Sequence, residues 1–277
     1  MAGPSWAADR PIAPPLYVAQ RSNAPGRVYI FGSAITTDHS WLTPKIQAAM
    51  NESVELWQED PATPCPFNRN LNIELGTRKS GTLFDDLTPE QQARVTRAAK
   101  ALGTSMDLLQ KTLPWAAGAI VAATDQPRHM SVYKVDDSKE LVLKRFQARG
   151  ATVNPELAEC DDWVRFYADF AQKAAVQYLM YQIDLTELPP EDFPRRSSEW
   201  LHGDISGWER FNRRWRTQYP DLYRVLEWRR NEAWAKRIDT MLTQSGARFI
   251  IVGIQHTVGA GSIQARSAAH GATVTRA

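Results

Sequence analysis

The residues of this chain best placed to do chemistry sit where two apolar runs end in glycine. The first run is Val28-Tyr29-Ile30-Phe31-Gly32-Ser33-Ala34-Ile35, and the second is Ile250-Ile251-Val252-Gly253-Ile254-Gln255-His256. An apolar run with no polar face reads as a strand covered on both sides, as in the middle of an α/β sheet. A glycine at its carboxyl end marks the place where open sheets of this kind form their ligand crevices. Glycine lets the chain turn sharply or approach a neighbour closely. The second copy also delivers His256, three residues past Gly253. An imidazole that titrates near neutrality can ligate a metal, act as a general base or hydrogen-bond a ligand. The alternative is a loop histidine satisfied by backbone groups.

The surrounding sequence supplies elements to hold these two tips. Leu16 to Ala19 and Arg27 to Gly32 read as a hairpin around Ser22, Asn23, Pro25 and Gly26. Pro44 opens a helix through Met50, and Val54 to Glu59 reads as a strand running into a Pro-broken loop, Pro61 to Pro66. Thr88, Pro89 and Gln91 form a capping box with proline at the first helical position, for a helix ending near Gly103. Further helices are expected over 105–113, 115–123 and 139–150, the last stopped by Gly150. Trp163, Phe166, Tyr167, Phe170, Ala174 and Tyr181 recur at helical steps, so one amphipathic helix is expected between Asp161 and Ile183. Leu188 to Pro194 reads as a connector. Helices then follow around Trp208 to Tyr219 and Leu222 to Thr243.

The last unit is a strand Phe249 to Val252, a loop to Gly261, a short helix ending at Gly271 and a strand near Thr273 to Val274. If its two strands are parallel, this unit is a right-handed crossover. The expected fold is α/β: a central mixed sheet flanked by helices, with a large helical insertion between the N- and C-terminal strand units. Residues 1–15 are expected to be a flexible segment and 16–277 a single domain.

Composition excludes some partners. With 33 Lys and Arg against 31 Asp and Glu in 277 residues, the net charge of +2 gives no field for nucleic acid or an anionic membrane surface. No stretch approaches the roughly 18 apolar residues of a membrane span. Met1 to Pro15 is rich in Ala and Pro and is not an intact secretory signal. As the start of a trimmed mature chain it would fit a periplasmic or secreted protein, and otherwise a cytoplasmic one. Cys65 and Cys160 fit two buried thiols or one disulfide. Neither the oligomeric state nor the substrate is readable.

From Leu16 to Val274 the residues resemble the TraB/GumN family, related to the Tiki-type proteases and more distantly to ChaN-like and erythromycin-esterase-like proteins. The resemblance rests on Leu16-Tyr17-Val18, Val28 to Gly32, Trp41-Leu42 and Trp57-Gln58-Glu59 in the N-terminal part. Towards the C-terminus it rests on Trp200-Leu201-His202-Gly203-Asp204, Arg230-Asn231 with Trp234, Phe249 to Gly253 with His256, and Gly271. The family pattern has two Gly-x-x-His motifs, a glutamate after the first and an Arg-Asn pair on the penultimate helix.

The resemblance implies a metal-dependent hydrolase fold whose histidines and glutamate converge, with Mn, Co or Zn acidifying a bound water. Glu59 and His256 match as catalytic residues and metal ligands, and Gly32, Gly253, Arg230 and Asn231 as substrate-binding residues. Where the first motif has histidine this chain has Ile35, and His39 is the nearest imidazole that could serve as a ligand. Glu159 falls where the family has a glutamate opening its long helix, although charge at a helix N-terminus also explains it. A disulfide near the crevice would favour an extracytoplasmic location. His129, His202 and His270 are expected to do nothing chemical. Two functions follow: hydrolysis of a peptide, amide or ester bond, or an inactive scaffold that binds a peptide or small molecule, a metal or a haem-like ligand.

Overall fold

The computed structural model describes residues 10–34, 36, 38–61, 68–130 and 138–277, with the backbone alone for 126–130. Ile35, Cys65 and the His129 side chain lie outside them, as does most of the loop expected over Pro61 to Pro66.

The described strands are β1 (Leu16–Gln20), β2 (Gly26–Ser33), β3 (Ser53–Gln58), β4 (Thr152–Pro155), β5 (Gly246–Gly253) and β6 (Thr273–Arg276). They form one mixed sheet in the order β4-β3-β5-β2-β1-β6. β4, β3, β5 and β2 are parallel, and the hairpin β1–β2 and the pair β1–β6 are antiparallel. The two glycine-tipped runs are therefore neighbours, with Gly32 opposite Val252 and Ser33 opposite Gly253. Alternation along them fills both faces. Phe31, Phe249 and Ile251 pack with Trp41, Ile46 and Trp200, while Val28, Ile30, Ile250 and Val252 pack with Trp234, Ile238 and Leu242. A sheet covered on both sides needs strands without a polar face.

Helical segments between the strand units have their own core, including Val95, Trp115, Leu179, Ile183 and Trp215. The Thr88 capping box is present, and its helix Pro89–Leu102 stops at Gly103 with φ +70°. Helices Pro44–Glu52 and Ser138–Ala148 fall where expected; Met106–Gln110 is shorter than the helix expected over 105–113, and Pro114–Met130 runs past the end expected at 123.

Several expectations need correction. The aromatic stripe belongs to two helices, Asp162–Ala168 and Gln172–Thr186, broken at Asp169 to Ala171. Stacking holds the pieces together, with the Tyr167 and Tyr178 ring centroids 4.9 Å apart, so the apolar spacing survives the break. The connector ends at Glu191, where a helix Asp192–Leu201 begins; Pro194 in its first turn lacks only a donor that needs no partner there. β4 was missed altogether. β6 runs parallel to β5, as the crossover requires, but it lies at the sheet edge paired with β1, with β2 and β1 between the two. The helix expected over 222–243 instead runs as Pro220–Tyr223, a π-helical turn Arg224–Trp228 and Arg229–Leu242. No helix among the described residues is long and apolar enough to cross a membrane.

Candidate functional site

Glu59 follows β3 directly, and Gly253 ends the adjacent β5. The Gly253 N–H donates to Glu59 Oε2 at 2.7 Å, tying the two strand tips together. Beyond Gly253 the chain makes a 3-10 turn, Ile254–Thr257, that carries His256 inward to 3% exposure. Gly32 makes room for this turn: a Cβ there would stand 2.2 Å from Thr257 Oγ1. Its carbonyl accepts from the Trp200 indole at 3.0 Å.

The helix Arg229–Leu242 and the π turn before it supply the third wall. His256 Nε2 lies 2.8 Å from Glu59 Oε1, and Nδ1 lies 2.5 Å from Asn231 Oδ1 and 3.0 Å from Glu227 Oε2. Asn231 is fixed in this orientation because its amide donates to the Gly261 carbonyl at 2.8 Å. Glu227 Oε2 is close enough for charge attraction, while Asn231 Oδ1 makes the shorter approach to the same nitrogen. Both ring nitrogens thus face acceptors, which calls for two N–H groups and a cationic imidazolium. Burial alone would strip that charge, but Glu227 and then Glu59 outweigh it, against opposition from Arg230, and raise the His256 pKa from 6.5 to about 9.

Glu59 sits at the centre. Its Oε1 faces His256 and accepts from Arg230 Nη2 at 3.0 Å; its Oε2 accepts from Gly253 and from Lys139 Nζ at 2.8 Å. Burial would raise its pKa, yet Lys139, His256 and Arg230 together hold it well below the ordinary carboxylate value. Arg230 also grips Glu156 through Nε at 3.0 Å and Nη2 at 2.6 Å, while the Trp234 indole donates to the same carboxylate at 3.1 Å. Trp163 lies under the Arg230 guanidinium, 5.2 Å from ring centroid to Cζ. Lys139 reaches Asp60 as well, at 2.9 Å. Burial would weaken the Lys139 and Arg230 charges, and Glu59 foremost among their partners reverses that, raising both pKa values.

Of the residues singled out in the sequence, Glu59, His256, Arg230, Asn231 and Gly253 come together, and Gly32 supports them through packing. His39 is exposed in a turn where its carbonyl accepts from the Leu42 N–H. Glu159 is exposed too, its N–H bonded to Asp162; Glu156, three residues earlier, is the glutamate that meets Arg230. His202 and His270 are occupied elsewhere, by the Pro11 carbonyl and by Glu232. Cys160 is disulfide-bonded, and the chain's other cysteine, Cys65, lies outside the described residues.

Sequence reasoning missed Lys139, Glu156 and Glu227. Glu227 was detectable, standing one helical turn before Asn231 on the face that carries Arg230. Glu156 was hidden with β4, and nothing near Lys139 pointed to it.

A divalent ion needs open lone pairs and a neutral imidazole. Here the roughly four acceptor positions of Glu59 face four donors, and neither His256 nitrogen offers a lone pair. Among the described residues no group of three or more His, Cys, Asp or Glu is arranged to hold a metal. The residues present do not fit the ion in this arrangement. What they form is an anion-holding cluster, with cationic Lys139, Arg230 and His256 arranged around carboxylates.

A model of the TraB/PrgY/gumN family matches residues 16–276, nearly the whole chain. The chain belongs to that family. Comparison with curated proteins and with solved structures gives no match.

Proposed function

We propose that this member of the TraB/PrgY/gumN family is a ligand-binding protein that keeps the strand-end crevice without running metal-dependent hydrolysis there. The observation behind this reading is the complete donor shell of Glu59, in which the Lys139 ammonium and the Arg230 guanidinium supply positive charge next to the carboxylate. A general base needs a free lone pair, and a metal ligand needs the same. A binding site needs fixed charges that an incoming peptide or small molecule can exchange with, which Arg230 and His256 provide.

A second reading, a metal-dependent hydrolase for peptide, amide or ester bonds, is supported by the 2.8 Å approach of His256 to Glu59 at adjacent strand tips. It requires Lys139 and Arg230 to leave Glu59 when Mn, Co or Zn enters.

Metal analysis of protein purified without an affinity tag, followed by peptide and ester panels with each metal added, separates the two. The binding reading expects substoichiometric metal and no turnover that depends on Glu59 or His256. Stoichiometric metal together with turnover abolished in Glu59→Ala and His256→Ala would replace it with the hydrolase.

A further inference from the structure

A cleft of about 390 Å³ opens beside the His256 turn, between the helix Ser206–Gln218 and the backbone of Val258 to Ala260. Its side-chain walls include Glu209, Asn212, Arg213, Arg216 and Tyr223. The four polar residues of the helix stand at steps of three and four, so they share one face and span about 10 Å along its axis. Asn212 anchors the opposite wall by donating to the carbonyls of Gln255 and Val258, at 3.1 and 3.2 Å. It is 4% exposed, and its Oδ1 has no hydrogen-bond partner.

The arginines of this helix divide into two kinds. Arg210 bonds the Ser206 hydroxyl and Arg214 the Gln218 side chain. The guanidinium groups of Arg213 and Arg216, which line the cleft, make no hydrogen bond or ion pair among the described residues. Glu209, placed four residues before Arg213 in the order that favours pairing, forms no ion pair with it either. Two unspent guanidinium forks facing one concave space match the geometry of a carboxylate or phosphate. The cleft volume lies within the range of small-molecule sites.

We propose that this cleft binds a small organic anion through Arg213 and Arg216, with a carboxylate or phosphate as the recognised group. The site is separate from the Glu59 cluster and holds whether or not that cluster binds a ligand. Titration calorimetry on the full chain at fixed ionic strength, with citrate and with inorganic phosphate as probes, tests it. Saturable one-to-one binding of at least one probe is expected, and the stronger probe identifies the preferred head group. Arg213→Gln combined with Arg216→Gln should weaken that binding at least about tenfold, as loss of charged hydrogen bonds does. Arg210→Gln with Arg214→Gln removes the same net charge and should change affinity less than about twofold. Equal losses in the two double variants would reduce the effect to the general field of the helix and overturn the proposal. So would failure of both probes to saturate at concentrations of tens of millimolar.

Discussion

At the scale of single residues, the cluster around Glu59 makes two strong demands. His256 carries its charge because Glu227 and Glu59 outweigh burial, so its folded pKa of about 9 exceeds the ordinary 6.5. A raised pKa stabilises the fold fully below the unfolded value and loses that contribution as pH climbs towards the folded one. Thermal midpoints should therefore fall between pH 6.5 and about 9, beyond the drift of other groups, and His256→Gln should remove that extra slope. Arg230 is the second demand, since it neutralises both Glu59 and Glu156. Arg230→Ala leaves two buried carboxylates short of their partner and should cost about 3 to 5 kcal/mol in urea unfolding. A loss under about 1 kcal/mol would mean that the ion pairs hold little together. Five of the seven residues nominated from the sequence meet in this place because glycine, histidine and the Arg-Asn pair stand at strand tips or on one helix face. The charges that complete the cluster come from segments with no such signature, Lys139 above all.

Among the elements, those with local signals were readable and those set by tertiary pairing were not. The Thr88 capping box names its own helix start, and Thr88→Ala should cost about 1 kcal/mol, readable as a shift in denaturation midpoint. The hairpin Leu16 to Ser33 was equally plain from its turn residues. β4 has only four residues, and its pairing with β3 rather than its composition makes it a strand. The break at Asp169 to Ala171 escaped for a different reason: both helices pack aromatics against one cluster, so the spacing reads through the interruption. Gly32 shows what packing between elements demands. In Gly32→Ala the new methyl meets Thr257 and must push the His256 turn away, at a cost of about 1 to 3 kcal/mol. Thr257→Ala in the same chain removes the obstructing hydroxyl and methyl and should recover part of that loss. No recovery would place the strain elsewhere.

Over the whole molecule, the α/β class and the central mixed sheet followed from strands without a polar face alternating with helical periods. The strand order did not follow, because β5 and β6 are separated in the sheet by β2 and β1, a placement that no local sequence carries. That order also fixes a sequence of events during synthesis. β5 lies between β3 and β2 in the sheet, yet it leaves the ribosome nearly 200 residues after β3. Until then the inner edges of β2 and β3 stay bare, exposing Val28 to Phe31 and Leu56 as templates for strange strands. A nascent chain stopped before Gly246 should be retained by chaperones or aggregate, and one extended through Gly253 should be released as soluble protein. The glycine-tipped strand that carries His256 is thus also the keystone whose late arrival decides when the chain can leave its folding helpers.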